Sequence, residues 1–321
     1  MPRAHLERVL ITGATGTLGY NIVRELGQAH PETRILVLMR KLDAALFADL
    51  PNVALEQVDM LDTARLLEAV LKFRPNAVIH AAASGVRPSN IGYFGLVDLN
   101  VSATLQMFRA TCEIPGCHFI HISTGLVYGQ QDRPCRESDA VNTLHPYGAS
   151  KAAADLLLRA AAERLDRHLT IVRPFSFTGL HDGGDRLFPS LLRAAAEGKA
   201  FEMSPGTQLR DFCAVQDVVE AIALVLEEGD QPGRDIFNVG SGLSVSLGRI
   251  VKSVVRQLEL DVEVRFGRQP FQALEPTQLV ADISRSQSLG WRPRTNLAYA
   301  VWQLARSQYP SLKVREPEQY R

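Results

Sequence analysis

The stretch ITGATGTLGYNIVREL, residues 11–26, runs from apolar residues typical of strands through three glycines into an amphipathic segment. This order predicts a buried strand, a tight turn and a helix. Gly13, Gly16 and Gly19 suit a turn at which a pyrophosphate approaches the backbone closely and the helix packs against the strand. A glycine triplet by itself is also compatible with a plain turn, so the interpretation as a dinucleotide-binding loop depends on the pattern of the residues after it.

Five more apolar runs lie further along the chain, with amphipathic segments between most of them. They are RILVLMR (34–40), NVALEQVD (52–59), NAVIHAAA (76–83), HFIHIST (118–124) and LTIVRPF (169–175). The alternation predicts an α/β fold, a Rossmann-type doubly wound parallel sheet covered by helices on both faces. After about residue 175 the rhythm breaks, so we expect a dinucleotide-binding Rossmann domain at 1–175. A smaller C-terminal α/β substrate-binding region is expected at 176–321, with some of its chain crossing back to the sheet.

Composition and charge narrow the class of protein. The chain of 321 residues has 35 cationic and 35 anionic side chains and a pI near 7.1, so no long-range field favours nucleic acid or a membrane surface. The sequence shows neither a signal-peptide pattern nor an apolar run of the roughly 18 residues that a membrane span needs, and we expect a cytoplasmic protein. Four scattered cysteines without a CxxC pair predict neither disulfides nor a metal site.

The end of the second apolar run bears on the choice of dinucleotide. An acidic residue there would bind the adenosine ribose, but the segment LVLMRKLD (36–43) places Arg40 and Lys41 at this position. A guanidinium suits a 2′-phosphate, which favours NADP(H) over NAD(H), whereas the alternative is that both are solvated loop cations. Asp59 and Met60 end the third run and suit the adenine edge, although a structural turn would look the same.

Tyr147 and Lys151 stand four residues apart at the start of an alanine-rich helical segment, LHPYGASKAAADLLL (144–158). A free phenol has a pKa near 10, too high for ready proton transfer at neutral pH. A lysine one turn away stabilises the phenolate and lowers that pKa, as general acid–base catalysis requires. Thr124, in HISTGLVYG (121–129), could direct a hydroxyl at the same reacting oxygen.

Together these pieces resemble the extended short-chain dehydrogenase/reductase family, NAD(P)-dependent epimerases, dehydratases and ketoreductases that act mostly on nucleotide sugars. The resemblance spans nearly the whole chain and includes HAAA (80–83), STGLVYG (123–129), YGASK (147–151), RPFSFTG (173–179), RDFCAVQDVVEAI (210–222), FNVGSG (237–242) and LGWRP (289–293). It implies that Thr124 and Tyr147 are catalytic and that Lys151 lowers the pKa of Tyr147 and binds the nicotinamide ribose. Further implied cofactor residues are Thr15, Thr17, Leu18, Ala81, Ala82, Ala83, Asn100 and Pro174.

The substrate side matches the family less evenly. Arg210 resembles the arginine that grips the nucleotide diphosphate, and Ser84 and Thr124 are further expected substrate contacts. Where nucleotide-sugar enzymes usually read RxFN, this chain reads RPFS (173–176), so Ser176 replaces an amide. His181 resembles the acid–base histidine of GDP-fucose synthases, but the cysteine that accompanies it there is Leu126 here. We therefore expect His181 to contact substrate rather than to catalyse.

Three functions remain open. The acidic pair that dehydratases commonly carry after the catalytic threonine is replaced by Gly125 and Leu126, which disfavours water elimination. The first interpretation is an NADP(H)-dependent ketoreductase of a nucleotide-linked 4-keto-6-deoxy sugar, with Tyr147 as proton donor, and the second is an NAD-dependent nucleotide-sugar 4-epimerase. A catalytically silent dinucleotide-sensing regulator is the alternative from another class. A homodimer is expected through residues 98–113 and 149–165, although the same apolar faces could pack within the monomer.

Overall fold

A computed structural model describes residues 6–85, 92–227, 234–271 and 274–320. Its strands are β1 (Arg8–Thr12), β2 (Arg34–Met39), β3 (Val53–Gln57), β4 (Ala77–His80), β5 (His118–Ile122), β6 (Leu169–Pro174), β7 (Ser176–Thr178), β8 (Phe201–Met203), β9 (Leu209–Arg210), β10 (Phe212–Ala214), β11 (Arg234–Val239), β12 (Val245–Ser246), β13 (Val264–Phe266) and β14 (Gln278–Leu279). Its helices are α1 (Thr17–Ala29), α2 (Thr63–Phe73), α3 (Tyr93–Val97), α4 (Ala103–Cys112), α5 (Pro146–Leu165), α6 (Leu187–Ala196), α7 (Val215–Glu227), α8 (Leu247–Gln257), α9 (Ser284–Ser288) and α10 (Leu297–Gln308). A π-helical turn, Asp98–Ser102, joins α3 to α4.

Seven parallel strands form the central sheet, in the order β3-β2-β1-β4-β5-β6-β11. The six apolar runs of the sequence are its first six strands, and the predicted Rossmann-type α/β fold is confirmed. The order reverses between β1 and β4, which creates the crevice at the carboxyl edge where such sheets bind ligands. The seventh strand, β11, comes from beyond residue 175 and pairs with β6, so the C-terminal part of the chain returns to the sheet.

Apolar side chains cover both faces of this sheet, as the strand composition requires. Ile22 of α1 and Val218 of α7 belong to the cluster on one face, and Leu66 of α2 and Leu158 of α5 belong to the cluster on the other. All four are fully buried. Burial of both faces explains why the strands read as continuous apolar runs rather than as alternating ones.

The C-terminal region has an apolar core of its own. Leu192 of α6, Val251 of α8 and Leu304 of α10 are fully buried there, and β8 pairs with β13 beside them. Because β7 follows β6 after one residue, this region begins at the carboxyl edge of the sheet. It is therefore placed over the crevice. Within the described ranges, every helix is too short or too polar to cross a membrane.

We predict that acid destabilises the fold partly through His118 at the start of β5. Burial lowers the pKa of His118 to about 3, and the ring accepts or donates a 2.9 Å hydrogen bond with Thr170. Between pH 6.5 and about 3 the unfolded chain gains a proton here that the folded chain does not, so stability is present above pH 6.5 and is lost as pH falls. Each such group contributes a slope of about 1.4 kcal/mol per pH unit.

The measurement is the free energy of unfolding in urea between pH 7 and pH 4. His118→Gln keeps a hydrogen-bonding partner for Thr170 but cannot titrate, and its slope should be smaller than that of the wild type by close to one proton. His30→Gln, at a partly exposed site after α1, is the matched control. Equal slopes in wild type and His118→Gln would contradict the prediction.

Candidate active site

The glycine loop packs directly against the end of β4. Gly13 has a φ of +78°, and a Cβ there would lie 2.5 Å from the carbonyl carbon of Ala81. A Cβ on Gly19 would lie 2.3 Å from the carbonyl oxygen of Gly13. Any side chain at either position would push α1 away from the sheet. These contacts leave backbone alone at the N-terminus of α1, which is what close approach of a pyrophosphate requires.

A cleft of about 410 Å³ opens beside this loop. Eleven of the residues predicted for cofactor or substrate line it, namely Gly13, Thr15, Gly16, Arg40, Lys41, Asp59, Met60, Ala81, Ala82, Ala83 and Ser84. Arg40 and Lys41 are exposed at the end of β2. The lining suits a dinucleotide, with the adenosine half toward the ends of β2 and β3.

Other predicted cofactor residues lie outside the lining of this cleft. Thr17 is on α1, where its hydroxyl donates a 3.1 Å hydrogen bond to Asp182, and Leu18 and Gly19 are buried in the same helix. Pro174 ends β6 and is buried beside β11. These residues position the loop and the sheet around the cleft.

Asn100 joins the cleft to the helix that carries the tyrosine. It is fully buried in the π-helical turn, a conformation that often marks functional sites. Its side-chain amide donates to the carbonyl of Ser84 (2.8 Å) and to the hydroxyl of Ser150 (2.9 Å), which in turn donates to the carbonyl of Tyr147 (2.8 Å). Asn100 thus holds the first turn of α5 in place.

Tyr147 and Lys151 lie one turn apart near the start of α5 and are almost completely buried. The ammonium of Lys151 has no hydrogen-bond acceptor among the described residues. A buried ammonium without a partner is costly unless a ligand supplies an acceptor. The site therefore fits a bound group with hydroxyls, such as a nicotinamide ribose.

The pKa of Tyr147 differs from the sequence-based expectation. Burial raises it to about 12, the guanidinium of Arg186 opposes that rise, and the carboxylate of Asp155 adds to it. Burial likewise lowers the pKa of Lys151 to about 8. The lowering of the Tyr147 pKa by Lys151 that we predicted is thus not what the structure shows: burial dominates, and the cation that lowers this pKa is Arg186.

Thr124 follows β5 with an extended backbone, and its hydroxyl accepts a 3.2 Å hydrogen bond from the backbone N–H of Leu126. The next residue, Gly125, packs under an aromatic ring. A Cβ at Gly125 would lie 2.9 Å from three ring atoms of Phe175. The segment after Thr124 therefore has no room for a side chain at residue 125.

A second cavity, of about 580 Å³, lies within the C-terminal region, and its lining residues fall between 176 and 275. Ser176 and Arg210, both predicted to bind substrate, contribute to its wall. Arg210 is paired with Glu275 at 2.5 Å and donates to the carbonyl of Pro276 at 2.8 Å. Gln208 also lines the cavity, and its buried Oε1 has no hydrogen-bond partner within the described chain. The cavity thus offers buried polar groups to a second ligand.

His181 is not brought into either cavity. Its ring stacks on Tyr20 of α1, with ring centroids 4.2 Å apart, and its backbone is left-handed with φ +64°. The neighbouring Asp182 is buried and pairs with Arg186 at 2.8 Å. The loop after β7 is thereby fastened to the helix of the glycine loop, and His181 serves this attachment.

Sequence reasoning missed three charged residues: Arg186 and Asp155, which act on Tyr147, and Arg173, the partner of Asp155. Arg186 precedes α6, and Asp155 of α5 forms a buried ion pair with Arg173 of β6 at 2.9 Å. The interval from Lys151 to Asp155 repeats that from Tyr147 to Lys151, a signal that was available in the sequence. The position of Arg186 depends on the loop conformation and had no such signal. No group of three or more His, Cys, Asp or Glu in the described ranges is arranged to hold a metal ion.

Comparison with known proteins agrees with this geometry. Residues 9–240 match the model of the NAD dependent epimerase/dehydratase family. The chain belongs to this family. It is accordingly an enzyme of the extended short-chain dehydrogenase/reductase type, as the sequence predicted.

Individual relatives cover most of the chain. A dTDP-glucose 4,6-dehydratase of Neisseria gonorrhoeae is 31% identical over 79% of this chain and 78% of its own length. The UDP-glucose 4-epimerase of Lactobacillus helveticus is 25% identical over 89% of this chain and 92% of its own length. The solved structure of MoeE5 with UDP-glucose and NAD is 29% identical and covers 95% of this chain and 99% of that one, with a TM-score of 0.82. The family member is thus of the nucleotide-sugar epimerase/dehydratase type.

We predict that the contact between Gly125 and Phe175 limits what residue 125 can be. Gly125→Ala should destabilise the protein by about 1–3 kcal/mol, because the added methyl group overlaps the ring. In a Phe175→Ala background the same change should cost much less, since the overlapping atoms are gone. Chemical denaturation of the two single variants and the double variant gives the coupling.

Strict additivity in that cycle would show that the ring does not restrict residue 125. Gly198→Ala is the matched control for a glycine in open space, since a Cβ there would meet nothing within 4 Å although its φ is +63°. Its cost should come from the backbone alone and should not change when Phe175 is replaced.

Proposed function

We propose that this enzyme is an NAD-dependent 4-epimerase of a nucleotide hexose. One observation carries the proposal: Thr124, Tyr147 and Lys151 are present without any acidic group directly after Thr124, and Phe175 closes that position. Dehydratases of the family need acid and base there for water elimination, so the residues present support hydride transfer without elimination. The choice among dehydratase and epimerase relatives rests on this site rather than on overall identity.

The chain's own residues account for the proton transfers at the sugar. Tyr147 takes the proton of the C4 hydroxyl as the carbon loses a hydride, and it returns the proton when the hydride comes back to the other face. Thr124 holds the same oxygen by a hydrogen bond, and the ammonium of Lys151 stabilises the phenolate. A bound NAD supplies the hydride acceptor and donor for C4.

The second cavity supports a nucleotide-linked substrate. Arg210 is buried in its wall, and a guanidinium holds a diphosphate by paired hydrogen bonds. Its present partner Glu275 would exchange with the diphosphate on binding. Solved complexes of MoeE5 contain UDP-glucose or UDP-glucuronic acid beside NAD, so UDP-hexoses and UDP-hexuronic acids are the first substrates to examine.

A ketoreductase is the second candidate, and Arg40 and Lys41 favour it. Both cations are exposed in the lining of the cleft where an adenosine 2′-phosphate would lie. Such an enzyme would consume NADPH and reduce a 4-keto-6-deoxy nucleotide sugar, with Tyr147 donating the proton. The MoeE5 complexes carry NAD, so a preference for NADP(H) stays a prediction.

The test begins with the cofactor that denaturation releases from freshly purified protein, identified by mass spectrometry. We expect close to one NAD per chain, and conversion of UDP-glucose or UDP-glucuronic acid to its C4 epimer without added cofactor. Tyr147→Phe should retain NAD and lose about 10²- to 10⁴-fold in rate, because it removes the acid–base group. Tyr299→Phe, on α10, is the matched control.

Either of two results would change the conclusion. Released NADP, together with NADPH-dependent reduction of a 4-keto sugar, would establish the ketoreductase. An unchanged rate in Tyr147→Phe would remove Tyr147 from the chemistry. Bound dinucleotide without conversion of any nucleotide sugar by the wild type would instead favour the catalytically silent sensing function.

We also propose a homodimer, through the helices that flank the site. Phe94 and Val97 of α3 and Leu156 and Leu157 of α5 are exposed large apolar side chains, and α3 packs against α5. Phe94 is 87% exposed. In contrast, Met107 and Phe108 of the predicted stretch 98–113 are buried within the monomer. A second copy bringing its own α3 and α5 would cover the exposed set.

Sedimentation equilibrium tests this interface. Phe94→Glu combined with Leu157→Glu should convert the dimer to a monomer at micromolar concentration, because two buried carboxylates per subunit would lack partners. Leu71→Glu places the same charge on an exposed leucine of α2 and should leave the dimer intact. A monomeric wild-type protein, or a dimer that tolerates the double substitution, would contradict the proposal.

A further inference from the structure

Asp155 is a buried carboxylate that the proposed chemistry does not use. Tyr147, Lys151 and Asp155 succeed one another at intervals of four residues, which places them along one face of α5. Lys151 and Asp155 are both fully buried. A charged pair at this depth needs compensation, because leaving water costs each ion several kcal/mol.

The partners of Asp155 come from two strands of the sheet. Its Oδ2 accepts a hydrogen bond from Nε of Arg173 at 3.0 Å and lies 2.9 Å from Nη2 of the same residue on β6. Its Oδ1 lies 3.6 Å from Nε2 of His121 on β5. Burial and the positive charges of Lys151 and Arg173 hold the pKa of His121 well below its usual range, so this ring is neutral.

Among the described residues, the ionisable groups around Lys151 and Tyr147 are two neutral histidines, cations and one carboxyl group. His80 on β4 is also neutral, since burial and the charge of Lys151 lower its pKa to about 3. Arg173 and, on the side of Tyr147, Arg186 are cations. Asp155 is the acidic group among those that act on Lys151 and Tyr147. Burial raises the pKa of Asp155 itself, whereas the charges of Arg173 and Lys151 and the hydroxyl of Ser123 lower it and favour the carboxylate. Asp155 is also the group that raises the pKa of Lys151 against the effect of burial.

The carboxylate of Asp155 lowers the net positive charge of the buried groups around Lys151. Lys151, Arg173 and Asp155 together carry one net positive charge, which becomes zero when Tyr147 ionises. Without Asp155 the same buried volume would hold two positive charges, and loss of the proton from Lys151 would relieve the repulsion. A neutral Lys151 would no longer stabilise a phenolate.

We propose that Asp155 is a positioning residue that keeps Lys151 protonated, and that it thereby sets the upper pH limit of cofactor binding and catalysis. The inference rests on the proposed function, in that it concerns the same site, but it makes a separate claim about binding. The ion pair with Arg173 partly neutralises the carboxylate of Asp155 and so reduces its electrostatic effect on Lys151.

The test measures NADH binding by fluorescence between pH 6 and pH 10, with protein freed of its cofactor and with no sugar present. In the wild type we expect affinity to fall as pH rises through about 8, where Lys151 loses its proton. In Asp155→Asn, which keeps size and polarity, the midpoint of that fall should move down by about one pH unit or more. Asp155→Glu should restore most of it.

Arg173→Gln is the matched control, because it breaks the same ion pair and leaves the carboxylate. Loss of Arg173 also removes the main group that lowers the pKa of Asp155. In the alkaline part of the range, where Asp155 is ionised, Lys151 would then have the whole charge of that carboxylate and one fewer cation near it, so the midpoint should move upward. A merely structural ion pair would weaken binding in both variants without opposite shifts. Opposite shifts support the proposal, whereas equal or absent shifts overturn it.

Folding is followed by circular dichroism, and if Asp155→Asn fails to fold, the upward shift in Arg173→Gln still decides. The proposed function can fail independently: a protein that binds NADH with these shifts but converts no nucleotide sugar would retain the role of Asp155 and refute the epimerase.

Discussion

A chain of buried hydrogen bonds fixes the distance between the strand before the glycine loop and the helix that carries Tyr147. Its links run from Thr12 to His80, Thr104, Asn100, Ser150 and the carbonyl of Tyr147, at 2.8–3.0 Å each. Because the cofactor loop lies at one end of this chain and the acid–base group at the other, any change in its links would alter their separation. Burial keeps water from competing for these bonds, and the low pKa of His80 keeps its ring neutral and able to link two hydroxyls.

Burial of the acid–base group and its lysine carries a desolvation penalty, which neighbouring charged side chains partly offset. Removing Tyr147 and Lys151 from water disfavours the charged form of each, which is opposite to what proton transfer requires. Two neighbouring ions oppose the effect of desolvation. Arg186 favours the phenolate of Tyr147, and Asp155 favours the ammonium of Lys151. A nicotinamide ribose would add hydroxyls for the ammonium that the described residues leave without an acceptor. The arrangement is complete only with its ligand.

Most of the fold could be predicted from local sequence, because strands buried on both faces read as uninterrupted apolar runs. The strand at Arg234–Val239 was harder to place, since it lies beyond the break in rhythm and reaches the sheet only through long-range pairing with β6. In the site, the glycine loop and the residues of the cleft lie where the pattern indicated. The pKa of Tyr147 could not be judged from its spacing to Lys151, because desolvation depends on tertiary packing. The attachment of His181 to Tyr20 likewise depends on a loop whose conformation no local pattern encodes.

Packing around Phe175 limits which side chain can follow Thr124. Phe175 comes directly after β6, and its ring occupies the space that a side chain at residue 125 would need. An acid placed there would require the ring to move, and the ring lies 5% exposed in the main core cluster, stacked at 6.2 Å on Tyr128. Tyr128 in turn donates to Asn238 of β11 at 2.7 Å and accepts from Arg173 at 2.9 Å. The packing around Phe175 therefore disfavours an acidic side chain at residue 125, and a substitution of Gly125 alone would not place one there without moving this ring.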